Sequence, residues 1–377
     1  MFGLGFGIYL AQFSNFAAND LQIRPDQLGL LESIREIPGL LTVPLAALVM
    51  PFAEPAVGFG ALLILGVGWL NYVHLDSVAG LIVFSLIGSV GFHMWMPVAS
   101  TIALRLAPVD AQGRQLGTLS SIQAIAQLAG IGLVVALAGV LGLRALFAVA
   151  GGFILTGAGL MVGLRGLKKA GGGLPRMLFR RQYRLYYGIT LLDGARRHIF
   201  LTFAIFLLVK EHAVPVQTIA LLSFANGVIT IGAAYAFGRW IDRFGERRVL
   251  TIANIALAAV FVGYATIPIV GVLFALYVLD SMFFSAQIGT TTYLQKILVD
   301  PAELRPSLTA GQTMNHVAAV IVPVIGGVLW ETYGAFVPFV GGAVLASLSA
   351  VLTARIRVAP QRAAAGASLE PAPAKAT

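Results

Sequence analysis

The sequence predicts an all-α polytopic membrane protein with twelve transmembrane helices. Hydrophobic residues make up 58% of the 377-residue chain and charged residues 11%, whereas a soluble domain carries roughly 25% charged residues. The apolar runs continue for about 20 residues, the length that a helix needs to cross a bilayer. A transmembrane β-barrel would instead show short segments of alternating polarity. A soluble fold and a barrel are therefore both excluded.

Twelve apolar runs follow one another along the chain, and we number them spans 1 to 12. Because each run approaches the length of one membrane crossing, we expect one helix in each. They cover residues 2–18, 28–51, 56–75, 77–104, 115–139, 143–164, 186–209, 216–238, 249–268, 271–296, 308–330 and 334–354.

The positions of the basic residues orient these spans. If the N-terminus lies inside, most of the 25 Lys and Arg residues fall in inner loops, and the outer loops hold only Arg24, Arg144 and Lys210. Basic loops favour the cytoplasmic side. We therefore expect a multi-pass protein of the cell membrane, the bacterial inner membrane, with both termini cytoplasmic. The same pattern accounts for the net charge of +9, so no nucleic-acid partner is expected.

The composition divides the chain into two halves and a tail. Residues 167–185 are basic and include the run Gly-Gly-Gly-Leu-Pro at 171–175, a composition that favours a flexible linker. We expect this cytoplasmic linker to separate a six-helix bundle at residues 1–166 from a second at residues 186–357. Residues 358–377 turn to Ala and Pro and predict a disordered cytoplasmic tail.

The two halves also repeat one another. Pro25 precedes span 2 and Pro215 precedes span 8, while Arg114 opens the region of span 5 and Arg305 that of span 11. Both pairs have nearly the same sequence offset. A near-constant offset predicts a duplicated unit and hence two pseudo-symmetric six-helix bundles.

The loop between spans 8 and 9 carries a specific motif, GRWIDRFGERR at residues 238–248. It resembles the G-x-x-x-D-R-x-G-R-[RK] signature of the major facilitator superfamily. The motif lies on the expected inner side of a duplicated twelve-span chain, as that family requires. The resemblance implies the fold of two six-helix bundles that enclose a central cavity. One departure is Glu246, where the family pattern usually has a basic residue.

The motif residues suit a conformational latch on physical grounds. Gly238 lets two helix ends approach closely, and Asp242 can accept hydrogen bonds from a neighbouring helix N-terminus. The equivalent loop after span 2, residues 50–56, lacks the pattern, so any latch there is lost or replaced. The predicted latch residues are Gly238, Asp242, Arg243, Gly245, Arg247 and Arg248.

Two spans carry three charged residues each at positions i, i+3 and i+4, so that each trio lies on one helix face. Each ionisable group at membrane depth costs about 2.5–3.5 kcal/mol on insertion scales. Such groups therefore need either a partner or a function. The trios are Glu32, Arg35 and Glu36 in span 2, with one surplus acid, and Asp193, Arg196 and Arg197 in span 7, with one surplus base.

These trios allow a structural and a functional interpretation. In the first, Arg35 pairs with its flanking glutamates and Asp193 with an arginine, so that each trio neutralises itself. In the second, Arg196 or Arg197 binds an anionic group of a substrate, for which the guanidinium fork is suited. Asp280, near the middle of span 10, would then pair with either arginine across the cavity.

Further polar residues at membrane depth complete two candidate sets. A single membrane histidine is a candidate proton site because its pKa is close to physiological pH. The proton-coupling or charge-relay set is Glu32, Arg35, Glu36, Asp193, Asp280, His93 and His316. The family resemblance implies a cavity lined by spans 1, 4, 7 and 10. The substrate-binding set is therefore Arg196, Arg197, Tyr9, Gln12, Asn15, Trp95, Gln287 and Tyr293.

Enzyme chemistry is not indicated by any motif. The chain has no H-E-x-x-H or G-x-S-x-G motif, no phosphate loop and no cysteine, which removes the usual signatures of hydrolases and nucleotide-driven pumps. We expect neither a cofactor nor a metal site. Without a nucleotide motif, the energy for transport has to come from an ion gradient.

The resemblance therefore implies a secondary active transporter that works by alternating access. We expect it to move a small organic solute with an anionic group and to be coupled to protons, although the residues are also compatible with sodium coupling. Two rival functions are an exporter of amphipathic drug-like compounds and a non-transporting scaffold or receptor. The expected partners are the solute, the coupling ion and membrane lipids, and a monomer fits the sequence.

Overall fold

A computed structural model describes residues 1–108, 111–164, 166–167 and 177–357. Within these ranges the regular secondary structure is helical throughout, which confirms the predicted all-α fold. The middle of the predicted linker, residues 168–176, lies outside the described residues. So do Arg165 and the predicted tail, residues 358–377.

The N-terminal half contains spans 1–6, and two of its helical stretches are interrupted. Pro38 lies inside span 2 and weakens the helix there by removing a backbone hydrogen bond; the helix breaks at Leu41. Gly142 separates spans 5 and 6 with a non-helical φ of 76°, which glycine adopts readily. The bounds are Phe2–Asn15 and a π-helix at Phe16–Asp20 (span 1), Pro25–Leu40 and Thr42–Val49 (span 2), Glu54–Leu70 and a 3₁₀ turn at Asn71–His74 (span 3), Val78–Leu106 (span 4) and Gln112–Met161 (spans 5 and 6).

The C-terminal half contains spans 7–12 as more continuous helices. Span 10 is the exception, because a 3₁₀ turn interrupts it at mid-length, a feature that the apolar pattern did not predict. The bounds are Arg184–Lys210 (span 7), Val216–Phe244 (span 8), Glu246–Thr266 (span 9), Val270–Phe284, Ser285–Gln287 and Ile288–Ile297 (span 10), Leu304–Tyr333 (span 11) and Phe336–Thr353 (span 12).

Length and apolarity alone identify most of these helices as membrane spans. Eight helices in the described ranges are long and apolar enough to cross a bilayer. One of them, Gln112–Leu164, has 53 residues and contains both span 5 and span 6. Spans 1, 2 and 7 fall outside this set because they are broken or carry polar and charged side chains. Both charged trios thus lie in spans outside this set, whereas Asp280 and His316 lie in spans 10 and 11, which belong to it.

The two halves meet along two helix pairs. Span 2 packs against span 11, and span 5 packs against span 8. In the first pair the backbones are so close that a Cβ on Gly29 would lie 2.2 Å from the carbonyl oxygen of Pro323. Only glycine allows this approach, since small residues let helix backbones come together in membranes.

We call the end of the bundle that carries Gly245 the inner end, following the predicted topology, and the opposite end the outer end. The halves are joined by polar contacts on the outer side. The amide of Asn15 donates to the carbonyl oxygen of Val214 at 3.0 Å, and the Lys210 ammonium donates to that of Ile23 at 3.3 Å. In contrast, the innermost segment of span 2, Thr42–Val49, buries none of its residues.

Candidate functional site

A cavity of about 420 Å³ lies between the two halves. Residues from spans 1, 2, 5, 7, 8 and 10 line it. The family resemblance implied spans 1, 4, 7 and 10, so span 4 is replaced in the lining by spans 2, 5 and 8. The charged lining residues are Glu32, Arg35 and Glu36 from the N-terminal half and Arg197 from the C-terminal half.

On the N-terminal wall, Arg35 and Glu32 form a local ion pair. The guanidinium of Arg35 donates to the Glu32 carboxylate at 2.5 Å, and both side chains remain about one-fifth exposed. The guanidinium also lies over the rings of Tyr9 and Phe13, at 5.6 and 5.1 Å from their centroids. Cation–π contacts of this kind fix the position of a cation that still faces the cavity.

Glu36, the surplus acid of span 2, finds its partners on other helices. Its carboxylate oxygen lies 3.0 Å from Nδ1 of His316 in span 11 and 4.0 Å from Nε2 of His93 in span 4. The second ring nitrogen of His93 contacts the Ser89 carbonyl oxygen at 3.0 Å, and that of His316 contacts the Gln312 amide at 3.1 Å. Three predicted relay residues therefore meet at the junction of the two halves.

On the C-terminal wall, Asp280 of span 10 holds both arginines of span 7. Its carboxylate accepts a hydrogen bond from Arg196 at 2.9 Å and one from Arg197 at 3.4 Å. Asp280 and Arg196 are completely buried, whereas the Arg197 side chain is 22% exposed. Its guanidinium lies 3.9 Å from the centroid of the Phe284 ring. The predicted pairing of Asp280 with span 7 is present, and Arg197 is the member that faces the cavity.

Asp193 does not pair with an arginine through a hydrogen bond. Its carboxylate accepts a bond from the Ser349 hydroxyl at 2.8 Å and another from the Gln287 amide. These contacts tie span 7 to spans 12 and 10. Asp193 is 2% exposed, so it lies behind the cavity wall rather than on it.

Two of the eight predicted substrate-binding residues line the cavity. Tyr9 and Arg197 line the cavity, whereas Gln12 and Asn15 are buried in the outer part of span 1. The remaining members lie elsewhere. Trp95 packs against the ring of Phe2 at 6.1 Å, Gln287 bonds to Asp193, Arg196 is enclosed beside Asp280, and Tyr293 belongs to an apolar cluster with Leu250 and Leu294.

Sequence reasoning missed part of the span 10 surface that borders the site. Tyr277 and Ser281 line the cavity, and Phe284 supports Arg197. These residues follow the spacing i, i+4 and i+7, with Asp280 at i+3, so they share one helix face. The spacing was a usable signal once Asp280 had been recognised. Ser349 gave no such signal, because its partner Asp193 lies 156 residues away.

The predicted latch loop forms the turn between spans 8 and 9. Gly245 has a φ of 81°, a conformation that favours glycine. Asp242 and Arg243 are exposed. Glu246, where the family pattern departs, is buried and accepts a hydrogen bond from Thr292 at 2.9 Å and pairs with Lys296 at 2.6 Å. In this conformation the turn is therefore attached to span 10 through Glu246.

Comparison of the sequence with protein families gives one match. A model of the Major Facilitator Superfamily matches residues 185–376, which is just over half of the chain. Comparison with curated proteins gives no significant match.

Solved structures of transporters share the fold. A bacterial homologue of the human lysosomal transporter Spinster, in an inward-facing and occupied conformation, has a TM-score of 0.76 at 13% identity and covers 93% of both chains. The nucleoside transporter NupG has a TM-score of 0.74 at 16% identity, covering 93% of this chain and 95% of that one. The xylose transporter XylE from E. coli, inward open, scores 0.70 at 13% identity, covering 96% and 95%. At these identities the likeness shows the fold alone.

Proposed function

The chain belongs to the Major Facilitator Superfamily and is a multi-pass membrane transporter rather than an enzyme, and we propose that it carries a small organic solute with an anionic group. The proposed energy source is the proton gradient, and the proposed mechanism is alternating access. The bundles at residues 1–166 and 186–357 are the proposed moving units, with both termini in the cytoplasm of a bacterial cell.

The observation that carries the proposal is the position of Arg197. Its guanidinium faces the cavity, its hydrogen bond to Asp280 is long at 3.4 Å, and Asp280 already accepts a shorter one from Arg196. Asp280 therefore shares one negative charge between two guanidinium groups. The planar fork of Arg197, resting on Phe284, keeps donors for a carboxylate or another planar anion.

Arg35 supplies a second cation from the opposite wall, and its pair with Glu32 offers a route to proton coupling. When Glu32 takes up a proton, Arg35 loses the carboxylate that it contacts at 2.5 Å. The unpaired guanidinium then attracts the anionic group of the solute more strongly. Proton and solute consequently favour each other's binding, which is the linkage that coupled transport requires.

Alternating access fits the distribution of contacts between the halves. The contacts of Asn15 with Val214 and of Lys210 with Ile23 would have to break for the cavity to open outward. The exposed Asp242 and Arg243 would be free to form the proposed latch in that second conformation. The aromatic and methionine-rich surroundings of Trp95 lie apart from the cavity, so they lend no support to a drug exporter.

A thermal-stability screen of the detergent-purified protein tests the proposed solute class. Small organic anions and amphipathic cations are compared, each at two pH values. A ligand at ~100 times its dissociation constant stabilises the folded state by about 2.7 kcal/mol. We expect organic anions to raise the melting temperature, more strongly at the lower pH. Stabilisation by amphipathic cations alone would overturn the proposal and favour the exporter.

A further inference from the structure

The junction of spans 2, 4 and 11 brings together one carboxylate and two imidazoles. One ligand atom each of Glu36, His93 and His316 lies within 4.8 Å of the remaining two. Metal–ligand bonds of about 2.1 Å at tetrahedral angles place ligand atoms about 3.4 Å apart. The distances from Glu36 to His316 and His93, 3.0 and 4.0 Å, bracket that value. The separation of the two imidazole nitrogens is within 4.8 Å, so small side-chain movements would bring all three ligand atoms to this spacing.

In each imidazole, the ring nitrogen that faces away from Glu36 has a hydrogen-bond partner. Nδ1–H of His93 can donate to the Ser89 carbonyl oxygen at 3.0 Å, which leaves the Nε2 lone pair directed at Glu36. For His316 the equivalent arrangement needs a turn of the Gln312 amide, so that its oxygen accepts from Nε2–H. Metal-binding histidines almost always donate their second nitrogen in this way.

Gly39, one turn after Glu36, keeps the space between the rings open. A Cβ at this position would lie 2.5 Å from the His316 ring and 2.6 Å from Nε2 of His93. No larger residue fits there without displacing both imidazoles. Because Glu36 also lines the cavity, an ion has an aqueous route to the cluster.

We propose that Glu36, His93 and His316 bind one divalent transition-metal cation that bridges the two halves of the protein. Two imidazoles and one carboxylate suit Zn²⁺ and its neighbours, whereas Mg²⁺ prefers oxygen ligands. Glu36 and His93 belong to the N-terminal half and His316 to the C-terminal half. The metal therefore stabilises the conformation in which spans 2 and 11 are packed together, and it does so whatever solute is carried.

Zinc binding to the full chain, purified in detergent without a histidine tag, tests the site. Isothermal titration with Zn²⁺ should show one site per chain, and Mg²⁺ should show none. Glu36→Gln and His316→Gln should each weaken Zn²⁺ binding by at least about tenfold. The matched controls His74→Gln and His212→Gln remove imidazoles outside the cluster and should leave the affinity unchanged. Unchanged binding in the cluster variants, or loss in the controls, overturns the proposal.

Two further measurements keep the proposal testable if a cluster variant fails to fold. Co²⁺ added to the wild-type protein should give visible absorption bands that Zn²⁺ removes, and their absence contradicts the site. The chain has no native cysteine, so Ala18→Cys, at a position 3% exposed in the outer part of span 1, reports opening of the outer end. Zn²⁺ should slow maleimide labelling of this cysteine several-fold. An unchanged rate shows that the metal does not bridge the halves.

Discussion

Spans 2 and 7 carry charged trios at identical spacing, yet the two trios are neutralised in different ways. In span 2 the arginine pairs within its own helix, with Glu32, and both groups stay in contact with the cavity. In span 7 neither arginine uses the local aspartate as a hydrogen-bond partner, and both turn to Asp280 on span 10. Helical spacing thus defines the face on which charges lie, but neighbouring helices decide their partners.

The difference has an energetic consequence. A pair that remains near water contributes little to stability, whereas a charge buried without its partner is costly. We therefore expect the span 7 network to contribute most to the stability of the fold. The span 2 pair should contribute little to stability and serve proton coupling instead. Two substitutions test this division and a third tests the packing of span 2 on span 11; they follow in order of decreasing expected effect on stability.

Asp280→Asn should be the most destabilising change. It removes the carboxylate to which both guanidinium groups donate, and loss of one partner of a buried pair costs about 3–5 kcal/mol. The effect is measured as a fall in the melting temperature of the purified protein. The double variant Asp280→Asn with Arg196→Gln should recover part of the loss. If the single variant melts at the wild-type temperature, the span 7 network does not contribute more to stability than the span 2 pair.

Gly29→Ala should have an intermediate effect, because it separates span 2 from span 11. The new Cβ would lie 2.2 Å from the Pro323 carbonyl oxygen, and overpacking of this kind costs about 1–3 kcal/mol. The halves should part more easily at the outer end, so labelling of the Ala18→Cys reporter should speed up. Gly132→Ala, where a Cβ meets no atom within 4 Å, is the control. Equal labelling rates in both variants would argue against close packing here.

Glu32→Gln should change stability least and coupling most. The pair with Arg35 is partly exposed, so its loss should cost about 1 kcal/mol or less. Uptake of an anion identified by thermal screening should no longer respond to a pH gradient in proteoliposomes, while exchange of that anion continues. The control is Glu331→Gln, at an exposed position near the outer end. Gradient-driven uptake at the wild-type rate in Glu32→Gln would assign coupling to another group.

The fold could be predicted from the sequence because membrane spans are local features. Each apolar run reports its own helix, and the gap predicted between spans 5 and 6 coincides with the non-helical Gly142. The charged faces of spans 2 and 7 could be predicted equally well, since their spacing depends on one helix only. The 3₁₀ turn at Ser285–Gln287 could not be predicted, because it interrupts span 10 without changing the apolar pattern.

The partners within the site could not be predicted in the same way. Glu36 meets His316 across 280 residues of chain, and Asp193 meets Ser349 across 156. Such contacts depend on how whole helices are arranged, and one sequence carries no record of that arrangement. Trp95 illustrates the same limit: the family resemblance implied that span 4 lines the cavity, whereas the Trp95 ring packs against Phe2.

Arg197 is the proposed binding partner of the anionic group of the solute. The most direct measurement compares the affinity of the most stabilising organic anion for wild-type protein, for Arg197→Gln and for the control Arg239→Gln, whose parent residue lies exposed on span 8. A hydrogen bond to a charged group is worth about 1.5–3 kcal/mol, so Arg197→Gln should weaken binding at least tenfold while Arg239→Gln does not. Equal affinity in wild type and Arg197→Gln would contradict the claim.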